Sequence, residues 1–429
     1  MRILHINHRN SGGGAALQGQ ALHQGLLGRG IDSQILVRKK QGTQDAIHEI
    51  NHGIRKFGWA LAKKCSRALE LTQYAPDSAY YSLSLFSGHL LETIRKIQPD
   101  LIHLHWLGGE TMRIEDIAQI QVPLVWTLHD MWPFCGAEHL DFTAKNPRWE
   151  TGYNTLNKPA GQLGIDWNRR VWERKLRAWA GRKIIPVAPS TWMKTCIDQS
   201  ALTRANAFTP AELIHHGISL SEFSPEDKKH SRQQLGIPQD RPAFIFGAHS
   251  LKYKNKGGGS LAAALSRLAR QMKFSLIVFG QGAVKPIPNI PLFQLGEIHT
   301  SQQLRIAYSA ADLTLNPSAM ESFGLVAAES LACGTPVVCF DTTGLKDVVT
   351  HQIDGYRAMP FQVEDYCRGI EWCLSDPQRL LELSRNARTN AVARFSQTTM
   401  MDRYIQLYQA ALAQKNDVRN QCQATTHFQ

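Results

Sequence analysis

The chain has 429 residues, of which 43% are hydrophobic and 20% charged, a composition that is typical of globular proteins and excludes an intrinsically disordered one. Because one hydrophobic core rarely serves more than about 300 residues, the length predicts two domains or three. The formal net charge of +12 favours anionic partners, namely nucleotides, acidic lipid surfaces or nucleic acid.

Strand and helix patterns alternate along the chain in two series. The first runs through the strand patterns MRILHIN, SQILVRK, LIHLHW, PLVWTLHD, IIPVAPS and ELIHH, with helical patterns at 13–29, 88–97 and 168–181. The second begins after residue 241 with AFIFGAH and has helical patterns at 258–272, at 301–310 and from about 323. Strands separated by helices indicate parallel sheets, so we predict an α/β protein with two doubly wound domains.

The domain boundaries follow from this alternation. We predict an N-terminal domain at 1–217, a polar, proline-bounded linker at 218–241, a C-terminal domain at 242–394, a last helix at 395–413 and a disordered tail at 414–429. Ligands of open parallel sheets bind outside the carboxyl ends of the strands. With two such domains, we expect the site in a cleft between them.

The sequence lacks the patterns of a membrane-spanning or secreted protein and of a cysteine-ligated metal site. MRILHIN enters a strand pattern without an apolar leader, and no apolar run approaches the roughly 20 residues that cross a bilayer, so we expect a cytoplasmic protein. The eight cysteines include no Cys-x-x-Cys pair, which favours reduced thiols and no metal site.

A glycine-rich turn, NHRNSGGGAALQGQAL, follows the first strand pattern. It is not the dinucleotide-binding fingerprint, because Gly12 and Gly14 are followed by Leu17 where that motif needs glycine. The turn can admit a phosphate or a sugar ring close to the main chain, or it is simply a tight turn.

The segment 54–71, IRKFGWALAKKCSRALEL, has the pattern of a basic amphipathic helix. Such helices lie on anionic membranes or, more often, pack their apolar face on their own domain. Both interpretations remain open at this point.

Histidines end two of the predicted strands. His103 and His105 lie on one face of LIHLHW, and His129 with Asp130 closes PLVWTLHD. A strand histidine is usually structural, but the terminal position of His129 makes it a candidate ligand contact.

Three lysines and three glycines meet in the predicted strand-to-helix turn HSLKYKNKGGGSLAAAL. Lys252, Lys254 and Lys256 precede Gly257. Glycines let a ligand approach the backbone and lysines neutralise charge, which suits a diphosphate. The alternative is a solvated basic loop.

The stretch PSAMESFGLVAAESLACGTPVV places Glu321 in a loop before a predicted helix and Glu329 about two turns into that helix. The free N–H groups at the helix start and its dipole favour a phosphate between the two carboxylates. This spacing suits a nucleotide-sugar, with a polyhydroxyl group at each end of a diphosphate. The alternative is that both glutamates are ordinary surface charges.

This last stretch resembles the E-x7-E signature of retaining glycosyltransferases of family 4, which have the GT-B architecture of two Rossmann-like domains facing a central cleft. The glycine turn, LIHLHWLGG, VWTLHDMWPF, VAPSTWM, the KG turn at 256–257 and GYRAMP match the family in the same order. The resemblance extends to about residue 410 and is closest to the exopolysaccharide and lipopolysaccharide branch. It implies that the last helix crosses back onto the N-terminal domain.

The resemblance implies donor contacts in the C-terminal domain. Glu321 would bind hydroxyls of the donor sugar, the main chain of Phe323, Gly324 and Leu325 would meet sugar and phosphate, and Glu329 would hold the ribose.

It also implies roles on the other side of the donor. Lys256 would bind the diphosphate, with Lys252 as a second cation, Gly13 and Gly14 would admit the donor to the N-terminal domain, and His129 would contact the transferred sugar. Glu321, His129 and Lys256 are the candidate catalytic residues.

Two departures from the family pattern matter. Relatives often place an arginine five or six positions before the KG lysine, where this chain has Leu251 and Ser250, so Lys252 is the available substitute. Relatives of this branch often carry a cysteine cluster after DMWPF, where this chain keeps Cys135 alone.

The implied activity is the retaining transfer of a hexose-type sugar from a UDP- or GDP-linked donor to a saccharide or lipid-linked saccharide in surface polysaccharide synthesis. The sequence contains no Asp-x-Asp, so lysines and a helix N-terminus would stabilise the leaving charge without a metal. We expect no separate cofactor, and a position in the cytoplasm or on the inner face of its membrane.

Two alternatives belong to other classes. A glycoside hydrolase would use Glu321 and Glu329 as acid and base, but their estimated separation exceeds the roughly 5–9.5 Å that such enzymes need. A nucleic-acid-binding protein would explain the charge, but no zinc spacing or RNA-binding signature accompanies it.

Overall fold

The computed structural model describes residues 1–50, 54–74, 80–86, 89–143 and 145–426. The chain divides into two compact units: unit 1 comprises Met1–Ile214 with Met401–Gln429, and unit 2 comprises His215–Met400.

Unit 1 is built on a seven-stranded parallel sheet with the order β3-β2-β1-β5-β6-β8-β9, beside a small antiparallel pair of β4 and β7. Its strands are β1 (Arg2–Arg9), β2 (Asp32–Lys39), β3 (Ile47–Glu49), β4 (Gln73–Tyr74), β5 (Leu101–Leu104), β6 (Leu124–Thr127), β7 (Leu163–Gly164), β8 (Ile185–Ala188) and β9 (Glu212–Leu213). Its helices are α1 (Gly14–Leu27), α2 (Ile54–Glu70), α3 (Leu90–Ile97), α4 (Ile114–Ala118), α5 (Arg148–Thr151), α6 (Trp167–Trp179), α7 (Thr191–Asp198) and α8 (Ala201–Arg204).

Unit 2 is built on a six-stranded parallel sheet with the order β12-β11-β10-β13-β14-β15. Its strands are β10 (Ala243–Ser250), β11 (Ser275–Gln281), β12 (Leu292–Gly296), β13 (Leu313–Asn316), β14 (Val337–Phe340) and β15 (Gly355–Ala358). Its helices are α9 (Lys228–Leu235), α10 (Gly258–Leu268), α11 (Ser301–Ala310), α12 (Leu325–Ala332), α13 (Leu345–Val348), α14 (Val363–Leu374) and α15 (Pro377–Arg394), and a short 3₁₀ turn spans Lys254–Lys256. The final helix, α16, is Gln397–Thr426.

The sheet of unit 2 is buried on both faces, as parallel sheets are. Successive residues of β10 point to opposite sides, so that Phe244 and Phe246 enter one apolar core while Ile245 enters the other. This double burial explains why the strands appear in the sequence as continuous apolar runs.

The α/β prediction with two parallel sheets is confirmed. The prediction of a linker at 218–241 is wrong, because this segment lies within unit 2. Asp227 caps α9 by accepting from the backbone N–H of His230 at 2.7 Å, and Phe223 and Ile237 belong to the core. Few of its positions are apolar, so the sequence pattern concealed a short capped helix.

The last helix differs from the sequence prediction at its end. It continues to Thr426, through residues 414–426 for which the sequence predicts a disordered tail. Alanine, glutamine and arginine in this stretch favour a helix even where no apolar period is present. No helix in the described part of the chain is both long and apolar enough to cross a membrane.

Candidate functional site

In unit 2, the turn between β13 and α12 depends on a glycine. Gly324, the residue before α12, has φ +112°, and a Cβ there would lie 2.8 Å from a methyl carbon of Leu345. Both the backbone conformation and the close contact disfavour any side chain. The helix therefore starts with its first backbone N–H groups at the end of the loop that carries Glu321.

Glu321 is fixed in this loop by side-chain and main-chain contacts. Lys256 Nζ lies 2.6 Å from its Oε1, and the Ser318 hydroxyl donates to the same oxygen at 2.8 Å. Its backbone N–H donates to the Thr343 hydroxyl at 2.9 Å, and its backbone carbonyl accepts from the N–H of Gly344 at 2.9 Å. The side chains of Glu321 and Lys256 are 16% and 23% exposed, so the ion pair is close to solvent but largely shielded from it.

The KG turn packs directly on the same loop. Gly257 has φ +75°, and a Cβ there would lie 1.9 Å from the carbonyl oxygen of Pro317. The backbone N–H of Ala319 donates to the carbonyl of Asn255 at 2.8 Å. Lys252 is exposed in this turn, beside Gly282. The tertiary structure thus brings together the KG turn and the loop before α12, whose residues Lys256 and Glu321 are 65 positions apart in the sequence.

Glu329 lies on α12, and its carboxylate has a single hydroxyl partner. Tyr308 donates to Oε2 at 3.0 Å. The residue is half-buried, and burial raises its pKa to about 7, because no cation among the described residues pairs with the carboxylate to replace its lost hydration. A ligand that donated hydroxyl hydrogens to this carboxylate would favour its ionised form.

The remaining donor candidates of unit 2 hold the loop in shape. Phe323 is 2% exposed and its ring lies against those of His215, His216 and Phe395. Leu325 is the half-buried first residue of α12. The side chain of Phe323 anchors the turn, which leaves only its main chain for a ligand.

In unit 1, the glycine turn leads into α1. Gly12 and Gly13 have φ +72° and +84°, and α1 begins at Gly14. Further along this helix, a Cβ on Gly19 would lie 3.3 Å from Asn7 and 3.6 Å from His105. The helix therefore passes close over the carboxyl ends of the first strands.

His129 is half-buried in unit 1 and belongs to a group of imidazoles. Its Nε2 lies 3.1 Å from Nδ1 of His105, and the two rings stack. The Nε2 of His105 lies 3.0 Å from Nδ1 of His5. Burial lowers the pKa of His129 well below its ordinary value, so this imidazole is neutral at physiological pH.

Three of these histidines are close enough to hold a metal ion, which the sequence did not predict. One nitrogen each of His5, His103 and His105 lies within 4.8 Å of the others. Both ring nitrogens of His103 already have hydroxyl partners, Tyr408 at 2.6 Å and Thr127 at 2.7 Å. A metal would have to displace one of these hydrogen bonds.

Sequence reasoning missed the residues that fix the loop after Trp132. Asp130 accepts from Trp106 Nε1 at 2.6 Å and faces His139 Nδ1 at 2.5 Å. The buried Lys175 amine donates to the carbonyls of residues 132, 135 and 136, and burial lowers its pKa to about 7. These polar contacts hold the loop, and of the residues that make them the sequence indicated only that Lys175 lies in a helix pattern.

Helix α2 exposes an apolar stripe rather than packing it. Phe57, Leu61 and Ala68 of α2, and Leu71 directly after the helix, are spaced four, seven and three apart and are all exposed, with exposures of 76%, 56% and 71% for Phe57, Leu61 and Leu71. The opposite side attaches to the unit, since Trp59 and Ser66 donate to the carbonyl and carboxylate of residue 110. Of the two interpretations, packing of Phe57 and Leu61 on the domain is therefore wrong.

The predicted site residues fall into two groups. Unit 2 brings together Glu321, Lys256 and the start of α12, with Glu329 on the same helix and Lys252 on the same turn as Lys256. Unit 1 holds Gly13, Gly14 and His129. The assigned roles of these residues stay predictions.

Comparison with known proteins bears on the fold and the class of enzyme. Residues 227–390 match the family of glycosyl transferases group 1. The chain is 28% identical over 352 residues to D-inositol 3-phosphate glycosyltransferase of Thermobispora bispora, covering 77% of this chain and 76% of that protein.

Two solved structures have the same fold over nearly the whole chain. Sucrose-phosphate synthase from Thermosynechococcus elongatus has a TM-score of 0.69 at 18% identity and covers 96% of this chain and 99% of that one. Anabaena HepE in complex with UDP-glucose has a TM-score of 0.64 at 18% identity and covers 96% and 100%. The expected GT-B architecture of two Rossmann-like domains is thereby confirmed.

Proposed function

We propose that this chain, in which residues 227–390 correspond to the glycosyl transferases of group 1, moves a hexose-type sugar from a UDP- or GDP-linked donor to a saccharide or lipid-linked saccharide acceptor. The transfer retains the anomeric configuration, needs neither metal nor cofactor, and serves surface polysaccharide synthesis. HepE, a protein of the same fold, is described in complex with UDP-glucose, which supports a nucleotide-sugar donor.

The observation that carries the proposal is the ion pair of Lys256 and Glu321 at the start of α12. In the ligand-free chain the two charges compensate each other. A donor diphosphate bound at the helix start would attract the lysine, and the sugar hydroxyls would then donate to the carboxylate. Charge on the leaving diphosphate is stabilised by the lysine and by the free N–H groups of the helix, which is the usual main contribution in such reactions.

The test is a panel of UDP-, GDP- and ADP-sugars, scored for slow hydrolysis and for transfer to membrane extracts. With the active donor, Lys256→Ala and Glu321→Ala should each lower kcat by about 100-fold or more while the protein stays folded. Lys254→Ala removes an exposed lysine of the same turn and is the matched control, expected to keep near wild-type turnover. Near wild-type activity of both site variants would refute the assignment.

The stereochemistry and the metal independence have their own readouts. Proton NMR of the product's anomeric centre should show the configuration of the donor. Activity should survive EDTA, since Lys256 and the start of α12 replace the metal. An inverted product would contradict the retaining mechanism, and loss of activity that Mg²⁺ or Mn²⁺ restores would contradict the metal-free one.

The acceptor class separates two versions of the proposal. The curated relative is named for transfer to D-inositol 3-phosphate, whereas the motifs of this chain resemble the polysaccharide branch. Parallel assays with inositol phosphate and with lipid-linked saccharides decide between them. Turnover with inositol phosphate alone would exclude the polysaccharide role.

We also propose that unit 1 docks on the inner face of the cytoplasmic membrane through α2. Its exposed stripe presents Phe57, Leu61 and Leu71, and the exposed Lys64 and Arg67 belong to the same helix. Apolar side chains beside basic ones match an anionic lipid surface, where a lipid-linked acceptor would be found.

Vesicle co-sedimentation tests this docking. Binding to vesicles of phosphatidylglycerol and phosphatidylcholine should be strong at low salt, weak to pure phosphatidylcholine, and reduced at least tenfold in Phe57→Ser/Leu61→Ser. Leu381→Ser, an exposed leucine of unit 2, controls for general loss of apolar surface. Equal binding of the double variant and the wild type would exclude α2 as the docking surface.

A further inference from the structure

Three imidazoles of unit 1 form a hydrogen-bonded chain across neighbouring strands. His5 lies on β1, His105 directly follows β5, and His129 follows β6; these strands are adjacent in the sheet. Nδ1 of His5 lies 3.0 Å from Nε2 of His105, whose Nδ1 lies 3.1 Å from Nε2 of His129. Each ring therefore contacts the next through one specific pair of nitrogens.

All hydrogen bonds of such a chain must be donated in the same direction along the three rings. A neutral imidazole carries one N–H, and each nitrogen pair needs one proton between its members. Either His5 donates to His105 and His105 to His129, which places the remaining N–H on Nδ1 of His129, or the order is reversed and the remaining N–H is on Nε2 of His5.

The buried end of the chain distinguishes the two directions. Nε2 of His5 has no hydrogen-bond partner among the described residues, and the side chain is 1% exposed. The crevice that His5 and His105 line with Asn7 and Gly19 has no space for a water molecule. A buried N–H without an acceptor is rarer in proteins than a buried acceptor without a donor, so the reversed order is disfavoured.

We infer that this chain fixes His129 in the Nδ1–H tautomer, with His5 and His105 as positioning residues. The catalytic consequence rests on the proposed function and on the role that the family resemblance implies for His129, contact with the transferred sugar. Because its Nε2 accepts from His105 and its Nδ1 already carries a proton, His129 is a neutral hydrogen-bond donor and not the base that deprotonates the acceptor. That proton must leave by another route, such as the departing phosphate.

The direct test needs no substrate. Long-range ¹H–¹⁵N NMR correlation on the full chain labelled with ¹⁵N-histidine should show the Nδ1–H tautomer for all three rings, assigned with single variants. Detection of Nε2–H at His105 or His129 would overturn the inference, even in an active enzyme. If the tautomers are as expected but no sugar donor is used, the proposed function fails and the tautomer assignment stands.

Variants of the buried ring then test the catalytic consequence. His5→Phe keeps a ring but removes the donor, and should release the tautomer bias of His129 and lower kcat about tenfold with little change in KM. His5→Asn offers an amide donor near the position of Nδ1 and should restore both. His23→Phe is the matched control, since His23 is buried nearby but bonds to Ser33 outside the chain. The inference is refuted if His5→Asn and His5→Phe lower kcat equally.

Discussion

The carboxyl group of Glu329 should make the stability of unit 2 depend on pH, and Glu329→Gln should remove that dependence. Burial raises the pKa of this group to about 7, and its hydrogen-bond partner is the Tyr308 hydroxyl. Gln has nearly the same shape and keeps an oxygen that can accept from Tyr308, so the substitution isolates the charge. The substitution removes one ionisable group and leaves no cavity behind.

The sign and size follow from linkage. A glutamate in the unfolded chain titrates near 4.5, so between that pH and about 7 the folded chain keeps a proton that the unfolded chain has lost. The free energy of unfolding therefore decreases as pH rises through this window. At about 1.4 kcal/mol per pKa unit, the loss is at most about 3.5 kcal/mol, equivalent to roughly 7–14 °C in the melting temperature of a unit of this size.

The assay is thermal unfolding of full-length wild type and Glu329→Gln at pH 5 and pH 8. All other ionisable groups titrate in both proteins, so their effects cancel when the two melting temperatures are subtracted. The melting temperature of the variant, relative to that of the wild type, should therefore be several degrees higher at pH 8 than at pH 5. Glu371→Gln, at an exposed glutamate of α14, is the matched control and should show a constant difference. If the difference in melting temperature between Glu329→Gln and the wild type were the same at both pH values, the reasoning would be refuted.

Three further substitutions test contacts within each unit by the same thermal assay. Gly324→Ala should destabilise unit 2 by about 1–3 kcal/mol because its φ is +112°, whereas Gly258→Ala, where a methyl group meets nothing within 4 Å, should be neutral. Tyr408→Phe should cost about 1–3 kcal/mol because it leaves Nδ1 of the buried His103 without its partner at 2.6 Å; an unchanged melting temperature would contradict this. Lys175→Met should cost at least about 2 kcal/mol, because three buried carbonyls lose their donor, and should change tryptophan fluorescence, since the amine lies 3.8 Å from an indole centroid.

Local patterns predicted those parts of the fold that depend on local chemistry. The central strands of both sheets were visible as short apolar runs because they are buried on two faces, whereas the edge strand β3 was not predicted. The start of α12 was visible because a serine, a phenylalanine and a glycine precede an apolar helix face. By contrast, α9 was missed, since its few buried positions carry polar or charged side chains such as Arg232, which pairs with Asp312.

The candidate site divides in the same way. Glu321, Glu329 and Lys256 were recognisable because their spacing relative to strand ends and glycines is a property of the sequence. The direct contact of Lys256 with Glu321 was not, because it depends on how β10 and β13 pair within the sheet. Nor was the exposure of Phe57 and Leu61, since an amphipathic pattern does not indicate which face of a helix the domain covers.

By itself, then, the sequence determined the architecture and the chemical types of the candidate groups, because apolar periodicity, glycine turns and charge are encoded residue by residue. Only the tertiary structure decided which groups meet: the imidazole of His5 lies on β1, those of His105 and His129 follow β5 and β6, and their hydrogen bonds exist because these three strands are neighbours in the sheet. Burial, which sets the pKa of Glu329 and the protonation of these rings, is likewise a property of the packed chain, because it depends on what surrounds a side chain rather than on its neighbours in sequence.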